Sequence, residues 1–263
     1  MIKPVILWTD ALLLLLMAAA VAGFWWARNQ AHLRAAWYGV MRRSTPMAAA
    51  TVLLLFLAVA ILDSLHFRSP LPAQPGQPLQ YGVEVRSALD ALLTPLTARG
   101  EKTYSAPLAT HLLAKESVDG DGGAMAARVY PRLRFGGAHL GDDLTGYGRD
   151  LARRIGMGLV GGLLAWGLLL VTLGHWLRRR QLAWRAVLAT LLLVCLAAGP
   201  TLTLAAGYHV LGTDKVGQDV LYLTLKSIRT GIVIGTLTTL IMLPAAILLG
   251  IVAGYVGGWM DDL

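Results

Sequence analysis

The residues of this chain that are best suited to chemistry lie in one polar stretch between two long apolar runs. The stretch, 208–231, begins YHVLGTDKVGQDVL, and its charged residues are Asp214, Lys215, Asp219, Lys226 and Arg229. Gly212-Thr213-Asp214 is typical of a turn before a helix, because a Thr or Asp oxygen there accepts hydrogen bonds from free backbone amides. We therefore predict that Asp214 and Asp219 stabilise a helix start and do not bind a substrate.

A short amphipathic helix is predicted after this turn, with Thr213 or Asp214 as its cap. Its apolar side is formed by Val216, Val220, Leu221, Leu223 and Leu225. Such a helix lies in the membrane interface or against a neighbouring span and does not cross the bilayer. The alternative is a simple connector on the membrane surface. Gly217 inside a helix costs about 1 kcal/mol relative to Ala, which would be tolerated if another backbone packs closely there.

Membrane spans are the elements that must position this stretch. Hydrophobic residues make up 56% of the chain and charged residues 14%, and the mean hydropathy is +0.59, which excludes an ordinary soluble domain. A span needs roughly 20 mainly apolar residues and must be helical. The segments that fit are 5–26, 47–65, 155–177, 184–207 and 228–255. We predict an all-α integral membrane protein with about five transmembrane helices, one long extracytoplasmic insert and the short interfacial helix before the last span.

Two short loops rich in arginine predict the orientation. The loop 27–46 contains Arg28, Arg34, Arg42 and Arg43, and the turn after the third span contains Arg178, Arg179, Arg180 and Arg185; neither contains an acid. Cytoplasmic loops are enriched in Lys and Arg, so both loops should face the cytoplasm. The N-terminus, the insert 66–154 and the polar stretch at 208 should then lie outside.

The first apolar run has two interpretations. Ala20-Val21-Ala22 resembles a signal-peptidase site. Cleavage there would leave the arginine-rich loop outside, against the charge rule. Trp8, Trp25 and Trp26 lie near the ends of the run, as in the aromatic belt of a span. We favour a retained span.

No pattern in the sequence predicts a catalytic, cofactor or metal site. There is no Walker-type glycine loop, and a single cysteine, Cys195, excludes an internal disulfide and a cysteine-based metal site. The six histidines lack ligand spacing. Charge within spans marks ion pathways, but Asp10 and Asp63 lie near span ends, where we expect them to be solvated. The net charge of +8 comes from the two basic loops and indicates no nucleic-acid surface.

The insert 66–154 differs from the rest in composition. Its prolines Pro70, Pro72, Pro75 and Pro78 predict a stiff extended linker. The segment 87–96 predicts a helix with leucines on one face. The sequence VDGDGG at 118–123 predicts a plain loop, because the closing Glu of a calcium loop is absent. We expect the insert to form a small cap if it packs against the spans or a partner.

Small residues at helical spacing predict close helix packing. Gly250 and Gly254 form a small-xxx-small face in the last span, and Gly158 and Gly162 repeat it in the third.

The C-terminal fifth of the chain resembles a known family. LGTDKVGQDVLYLTLKSIRTG, followed by GIVAGYVGGWMDDL, resembles the inner-membrane permease subunits of oligopeptide, dipeptide and nickel ABC importers. The matching residues are Leu211, Gly212, Thr213, Asp214, Gly217, Asp219, Val220, Leu221, Arg229, Gly250, Gly254, Tyr255, Gly257, Gly258, Trp259 and Asp261. Together, at this spacing, the two blocks are specific, but they cover only 211–263.

The resemblance implies a permease subunit, or its N-terminal part, of a binding-protein-dependent importer for peptides or similar solutes in the bacterial inner membrane. Its implied partners are a second permease subunit, cytoplasmic ATPase subunits, a periplasmic solute-binding protein and membrane lipid, with no nucleic acid and no cofactor. The chain itself would not be an enzyme. The implied structural and assembly residues are Gly212, Thr213, Asp214, Gly217, Asp219, Arg229, Gly250, Gly254, Tyr255, Gly257, Gly258 and Asp261.

The same comparison divides the chain and shows where it departs from the family. The expected units are 1–65, 66–154, 155–207 and 208–263, the last being the start of the permease core. Gln218 stands where the family often has Arg, and the chain stops at Leu263, before the Glu-Ala-Ala helix that docks into the ATPase. We therefore expect either a fragment of a longer permease or a short form that cannot couple to ATP alone. The alternative is a non-transporting scaffold or an envelope sensor with 66–154 as its outer domain.

Overall fold

The computed structural model describes residues 3–70, 80–118, 127–141, 144–179 and 182–256. Five of its helices are long and apolar enough to cross a membrane, which confirms the predicted all-α membrane fold. The helices are α1 (Trp8–Asn29), α2 (Ala31–Met41), α3 (Ser44–Ser64), α4 (Ala88–Leu92), α5 (Thr94–Thr97), α6 (Tyr147–Arg179), α7 (Trp184–Ala205) and α8 (Val220–Val256). Short 3₁₀ turns span Ala138–Leu140 and Leu144–Gly146.

The long helices extend beyond the predicted apolar segments. α6 begins at Tyr147 and α8 at Val220, each about two turns before the predicted start. A run of apolar residues marks only the part of a helix that is suited to hydrocarbon. These helices begin in the polar sequence before that run, so the predicted starts came too late. The basic loop after α1 is also largely helical, because α2 occupies it.

The structure contains two small sheets that the sequence did not predict. They are formed by one N-terminal strand and by strands of the insert. The first has the antiparallel order β1 (Lys3–Val5), β2 (His66–Pro70) and β3 (Tyr81–Ser87). The second pairs β4 (Glu116–Val118) with β5 (Ala127–Val129). Pairing of Val5 with His66 joins the start of α1 to the end of α3. The linker prolines after Pro70 and most of the predicted loop 118–123 lie outside the described residues.

Close packing of α6 on α7 depends on glycine. A Cβ added at Gly162 would overlap the carbonyl of Cys195, and a Cβ at Gly158 would overlap the backbone at Pro200. The indole of Trp166 on α6 donates a hydrogen bond of 2.9 Å to the Leu188 carbonyl on α7. The predicted small-residue contact is therefore confirmed for α6. On α8, by contrast, nothing described lies within 4 Å of a Cβ at Gly250 or Gly254.

The two basic loops lie together at one end of the molecule. The Ala183 amide donates a 3.3 Å hydrogen bond to the Met41 carbonyl, which joins the segment before α7 to the end of α2. Nearby, a buried apolar cluster joins the end of α6 and the start of α7 to α3; its core is Leu177, Val187 and Leu191. The insert packs on the polar stretch at the other end.

Candidate functional site

The polar stretch folds as a closed turn, here called the Gly-Thr-Asp turn (209–219). Asp214 Oδ1 accepts hydrogen bonds of 2.9 Å from the amides of Val216 and Gln218. The Asp214 amide donates to the Gln218 carbonyl at 3.0 Å, and Gly217 takes a φ of 80°. The predicted short helix is therefore wrong. Its amides are bound by the Asp214 side chain, and the left-handed conformation of Gly217 is incompatible with a helix.

Asp219 caps α8. Its Oδ1 atom accepts hydrogen bonds from the amides of Leu221 at 2.8 Å and Tyr222 at 3.4 Å. The residues assigned to the interfacial helix from Val220 onward are the first turns of α8 itself. A carboxylate cap was thus predicted correctly in kind, but Thr213 and Asp214 were the wrong residues for it.

The insert packs directly on the Gly-Thr-Asp turn. The Glu101 amide donates to the Gly217 carbonyl at 2.8 Å, and a Cβ at Gly217 would overlap the Glu101 carbonyl. Gly212 has a φ of 77°, and a Cβ there would overlap the Ser105 carbonyl. The Thr213 hydroxyl contacts the Thr103 carbonyl at 2.8 Å. A backbone therefore packs closely at Gly217, and it belongs to the insert.

Three ionisable side chains are buried at this turn: His209 and Asp219 at its two ends, and Glu101 from the insert. Asp219 Oδ2 lies 2.7 Å from His209 Nδ1, and Glu101 Oε1 lies 3.4 Å from His209 Nε2. All three side chains are at most 4% exposed. Glu101 also accepts hydrogen bonds from the amides of Arg134 and Phe135 at 2.9 and 2.7 Å. The Glu101 carboxylate thus joins two loops of the insert to His209, and His209 contacts Asp219, the residue that precedes α8.

Tyr208 connects the same turn to the start of α6. Its side chain is 2% exposed, and its hydroxyl donates to Asp150 Oδ2 at 2.9 Å. Burial, together with the bond to this carboxylate, raises the pKa of Tyr208, so the phenol stays protonated and donating. Asp150 also faces His139 Nε2 at 2.7 Å and Arg154 Nε at 2.8 Å.

One face of α8 carries Tyr222, Lys226 and Arg229 at the spacing i, i+4, i+7. Lys226 Nζ lies 2.8 and 3.0 Å from the two carboxylate oxygens of Asp90, and the Tyr222 hydroxyl donates to the same group at 2.7 Å. Burial alone would raise the pKa of Asp90. The hydrogen bonds from Lys226, the Ser87 amide and Tyr222, and the charge of Lys226, outweigh burial and lower it to about 2.

Arg229 is the centre of a buried ion-pair cluster, here called the Arg229 cluster (Asp10, Asp63, His66, Ser87 and Arg229). Arg229 Nη1 donates to Asp10 Oδ1 at 2.8 Å, and Arg229 Nε lies 3.2 Å from Asp63 Oδ2. His66 Nδ1 lies 2.8 Å from Asp10 Oδ2, and the Ser87 hydroxyl donates to Asp63 Oδ1 at 2.9 Å. The cluster joins α1, α3 and the first sheet to α8.

The prediction that Asp10 and Asp63 are solvated is wrong. Each is 1% exposed, because pairing of β1 with β2 encloses the start of α1 and the end of α3. Sequence analysis missed the cluster but contained its signal. Asp10 begins one apolar run, Asp63 ends the next and Arg229 begins the last, so the predicted topology puts all three at one depth.

The remaining motif residues lie apart from this site. Tyr255 is 91% exposed far along α8, and Gly250 and Gly254 are exposed beside it. Gly257, Gly258, Trp259 and Asp261 lie outside the described residues. Of the predicted site residues, the structure brings together Gly212, Thr213, Asp214, Gly217 and Asp219 in one turn, and Arg229 lies in the Arg229 cluster.

These contacts are suited to holding a helix in place. Each carboxylate of the site is matched by a cation, a histidine or backbone amides, as expected of buried charge that serves structure. Among the described residues, no group of three or more His, Cys, Asp or Glu side chains could hold a metal ion. The site therefore fixes the N-terminal end of α8 against the insert, α1 and α3.

Comparison with known proteins gives one partial similarity. The chain is 40% identical over 53 residues to proteins described as "Oligopeptide transport system permease protein OppC" from Mycobacterium bovis and from two strains of Mycobacterium tuberculosis. The match covers 20% of this chain and 18% of each relative. No protein-family model matches the chain. No solved structure matches it either. The chain is thus similar, over a short stretch, to an ABC-type transport permease.

Proposed function

We propose that this chain is a permease subunit, or the N-terminal part of one, of an ATP-driven importer for peptides or similar solutes. The observation that carries the proposal is the partial similarity to an oligopeptide permease, taken together with five helices suited to crossing a membrane. ATP would be hydrolysed by separate cytoplasmic ATPase subunits. A second permease subunit would complete the pathway, and a periplasmic binding protein would deliver the solute.

In this proposal the Gly-Thr-Asp turn and the Arg229 cluster are structural parts of the outer face. The turn starts α8, and the ion pairs hold its first turns against α1 and α3. The exposed glycine face at Gly250 and Gly254 is available for a helix of another subunit. The units 1–65 and 66–154 would then be additions that brace the permease core 208–263 from outside.

The orientation belongs to the same proposal. The N-terminus, the insert and Lys215 would face the periplasm, and the loops around Arg42 and Arg179 would face the cytoplasm. Single cysteines at positions 42 and 215, in a Cys195→Ser background, test this with a membrane-impermeant thiol reagent on intact cells. We expect labelling at 215 only. Labelling at 42 only would reverse the orientation and exclude an importer of this type.

Transport itself is tested in cells that normally make this protein. Deletion of the gene should abolish uptake of labelled oligopeptides, and the intact gene should restore it. Asp214→Ala should lower the uptake rate without changing which solutes compete, because Asp214 binds backbone amides of its own turn. Unchanged uptake after deletion would contradict the proposal and favour a scaffold or an envelope sensor.

A further inference from the structure

A strongly basic patch lies at the end of the molecule opposite the Gly-Thr-Asp turn. It forms where two loops that are distant in sequence meet, at the hydrogen bond from Ala183 to Met41. Arg42 and Arg43 follow Met41 directly, and Arg185 lies two residues after Ala183. Arginines of both loops therefore lie within two residues of one short contact.

An indole ring holds two of these arginines in place. The guanidinium carbon of Arg178 lies 4.1 Å from the ring centroid of Trp184, and that of Arg185 lies 5.4 Å from it. Trp184 in turn packs on the buried apolar cluster at Leu177. Stacking uses the face of a guanidinium and leaves its edge N–H groups directed outward as a fork. Arg178 and Arg185 are therefore held as donors on a rigid base.

Four exposed arginines of the patch have no acidic partner in the part of the chain that the structure describes. No ion pair to Asp or Glu involves Arg43, Arg178, Arg179 or Arg185 there, and all four are exposed. Elsewhere, Arg154 and Arg229 are paired with carboxylates of this chain. These four arginines thus differ from Arg154 and Arg229 in that their charge needs an external anion.

We infer that this patch binds the phosphate group of an anionic phospholipid headgroup. It lies where α3, α6 and α7, three helices suited to crossing a membrane, end or begin, which is the depth of headgroups. Arginine forks match phosphate oxygens with two parallel hydrogen bonds. Trp176, which is 52% exposed and one turn before Arg179 on α6, lies where it can contact acyl chains. The inference does not depend on the proposed transport activity.

The test measures lipid binding to the purified full chain in neutral detergent. Phosphatidylglycerol is titrated and bound lipid is counted by native mass spectrometry, with phosphatidylcholine as the zwitterionic comparison. The variant Arg43→Gln with Arg185→Gln removes one arginine from each loop. The matched control, Arg28→Gln with Arg34→Gln, removes the same charge from the same face outside the patch. We expect the patch variant to bind phosphatidylglycerol roughly 30-fold more weakly, because each of the two arginines removed usually contributes about fivefold near anionic lipid.

Three outcomes would overturn the inference. Equal weakening in the control would mean diffuse attraction without a site, and equal binding of phosphatidylcholine would mean no preference for anionic headgroups. Displacement of the lipid by millimolar inorganic phosphate would mean a site for a soluble anion.

A further variant, Arg43→Lys with Arg185→Lys, keeps the charge but removes the guanidinium forks. A loss of phosphatidylglycerol affinity between those of the wild type and the Gln variant would separate fork geometry from charge alone. If the double variant misfolds, the single variant Arg43→Gln gives the same comparison against Arg34→Gln.

Discussion

Replacement of Arg229 by Gln should destabilise the protein more than any single replacement of an acid in the Arg229 cluster. The Arg229 side chain is 15% exposed, and it contacts two carboxylates that are each 1% exposed, Asp10 and Asp63. Removing one partner of a buried ion pair costs about 3–5 kcal/mol, because the other charge remains buried without compensation. In this cluster Arg229 also donates to the Asp63 backbone carbonyl at 3.3 Å, which would lose its partner. We therefore expect a loss of about 3–5 kcal/mol for Arg229→Gln.

The acids should matter less individually. Asp10→Asn removes the negative charge that faces Arg229 and His66 but leaves Arg229 beside Asp63, so we expect a loss of about 1.5–3 kcal/mol. Replacing Asp10, Asp63 and Arg229 together by Asn, Asn and Gln should cost much less than the sum, because no unpaired charge remains. Arg86→Gln is the control, since its pair with Glu84 is exposed and contributes about 0–1 kcal/mol.

The assay is equilibrium unfolding in mixed micelles with rising SDS, followed by tryptophan fluorescence and far-UV circular dichroism. The free energy of unfolding should be highest for the wild type and Arg86→Gln, lower for Asp10→Asn and lowest for Arg229→Gln. The reasoning would be refuted if Arg229→Gln lay within about 1 kcal/mol of the wild type, the range of exposed pairs. Strictly additive effects across the cluster would refute it as well.

Three further predictions concern the turn, the helix pair and the acid dependence. Gly217→Ala should destabilise the protein by more than about 1 kcal/mol, because it forces a side chain into a left-handed backbone and into the Glu101 carbonyl. Gly146→Ala, which meets nothing within 4 Å, should be near neutral in the same unfolding assay. Gly162→Ala should weaken α6–α7 packing and lower the melting temperature, whereas Gly161→Ala, with open space around it, should not. Asp90 should lose its stabilising contribution as pH falls from about 4 to 2, since its folded pKa is about 2 and its ordinary value is 3.8. Unfolding curves of wild type and Asp90→Asn should converge near pH 2; a constant difference down to that pH would contradict the ion pair with Lys226.

The helices were predictable because membrane spans have a simple sequence signal. About 20 apolar residues in a row indicate a span wherever they occur, and the five spans were found in the right order. Their ends were not predictable from hydropathy, because α8 continues beyond the apolar segment into Tyr222 and Lys226. Those polar side chains are tolerated in the helix because Asp90, from the insert, binds them both.

Some residues of the site could be predicted from the sequence, but the residues that they contact could not. The turn chemistry of Gly212 and Asp214 could be recognised from sequence, since positive φ angles and side-chain acceptors are local properties. The left-handed conformation of Gly217 was missed, because the apolar residues around it also fit a helix. The contacts of Asp10 and Asp63 could not, because they depend on β1–β2 pairing and on α8, which lies far along the chain. The same holds for Glu101, whose contacts to His209 and Gly217 join segments that are about a hundred residues apart.

Reconstituted transport tests the proposed permease function most directly. The full protein would be placed in liposomes with its candidate second permease and ATPase subunits, with the solute-binding protein supplied outside, and uptake of a labelled oligopeptide would be measured with and without ATP. We predict ATP-dependent uptake that Arg229→Gln reduces and Arg86→Gln leaves unchanged. Assembly of the complex without ATP-dependent uptake of any peptide, or uptake that does not need this chain, would contradict the proposal.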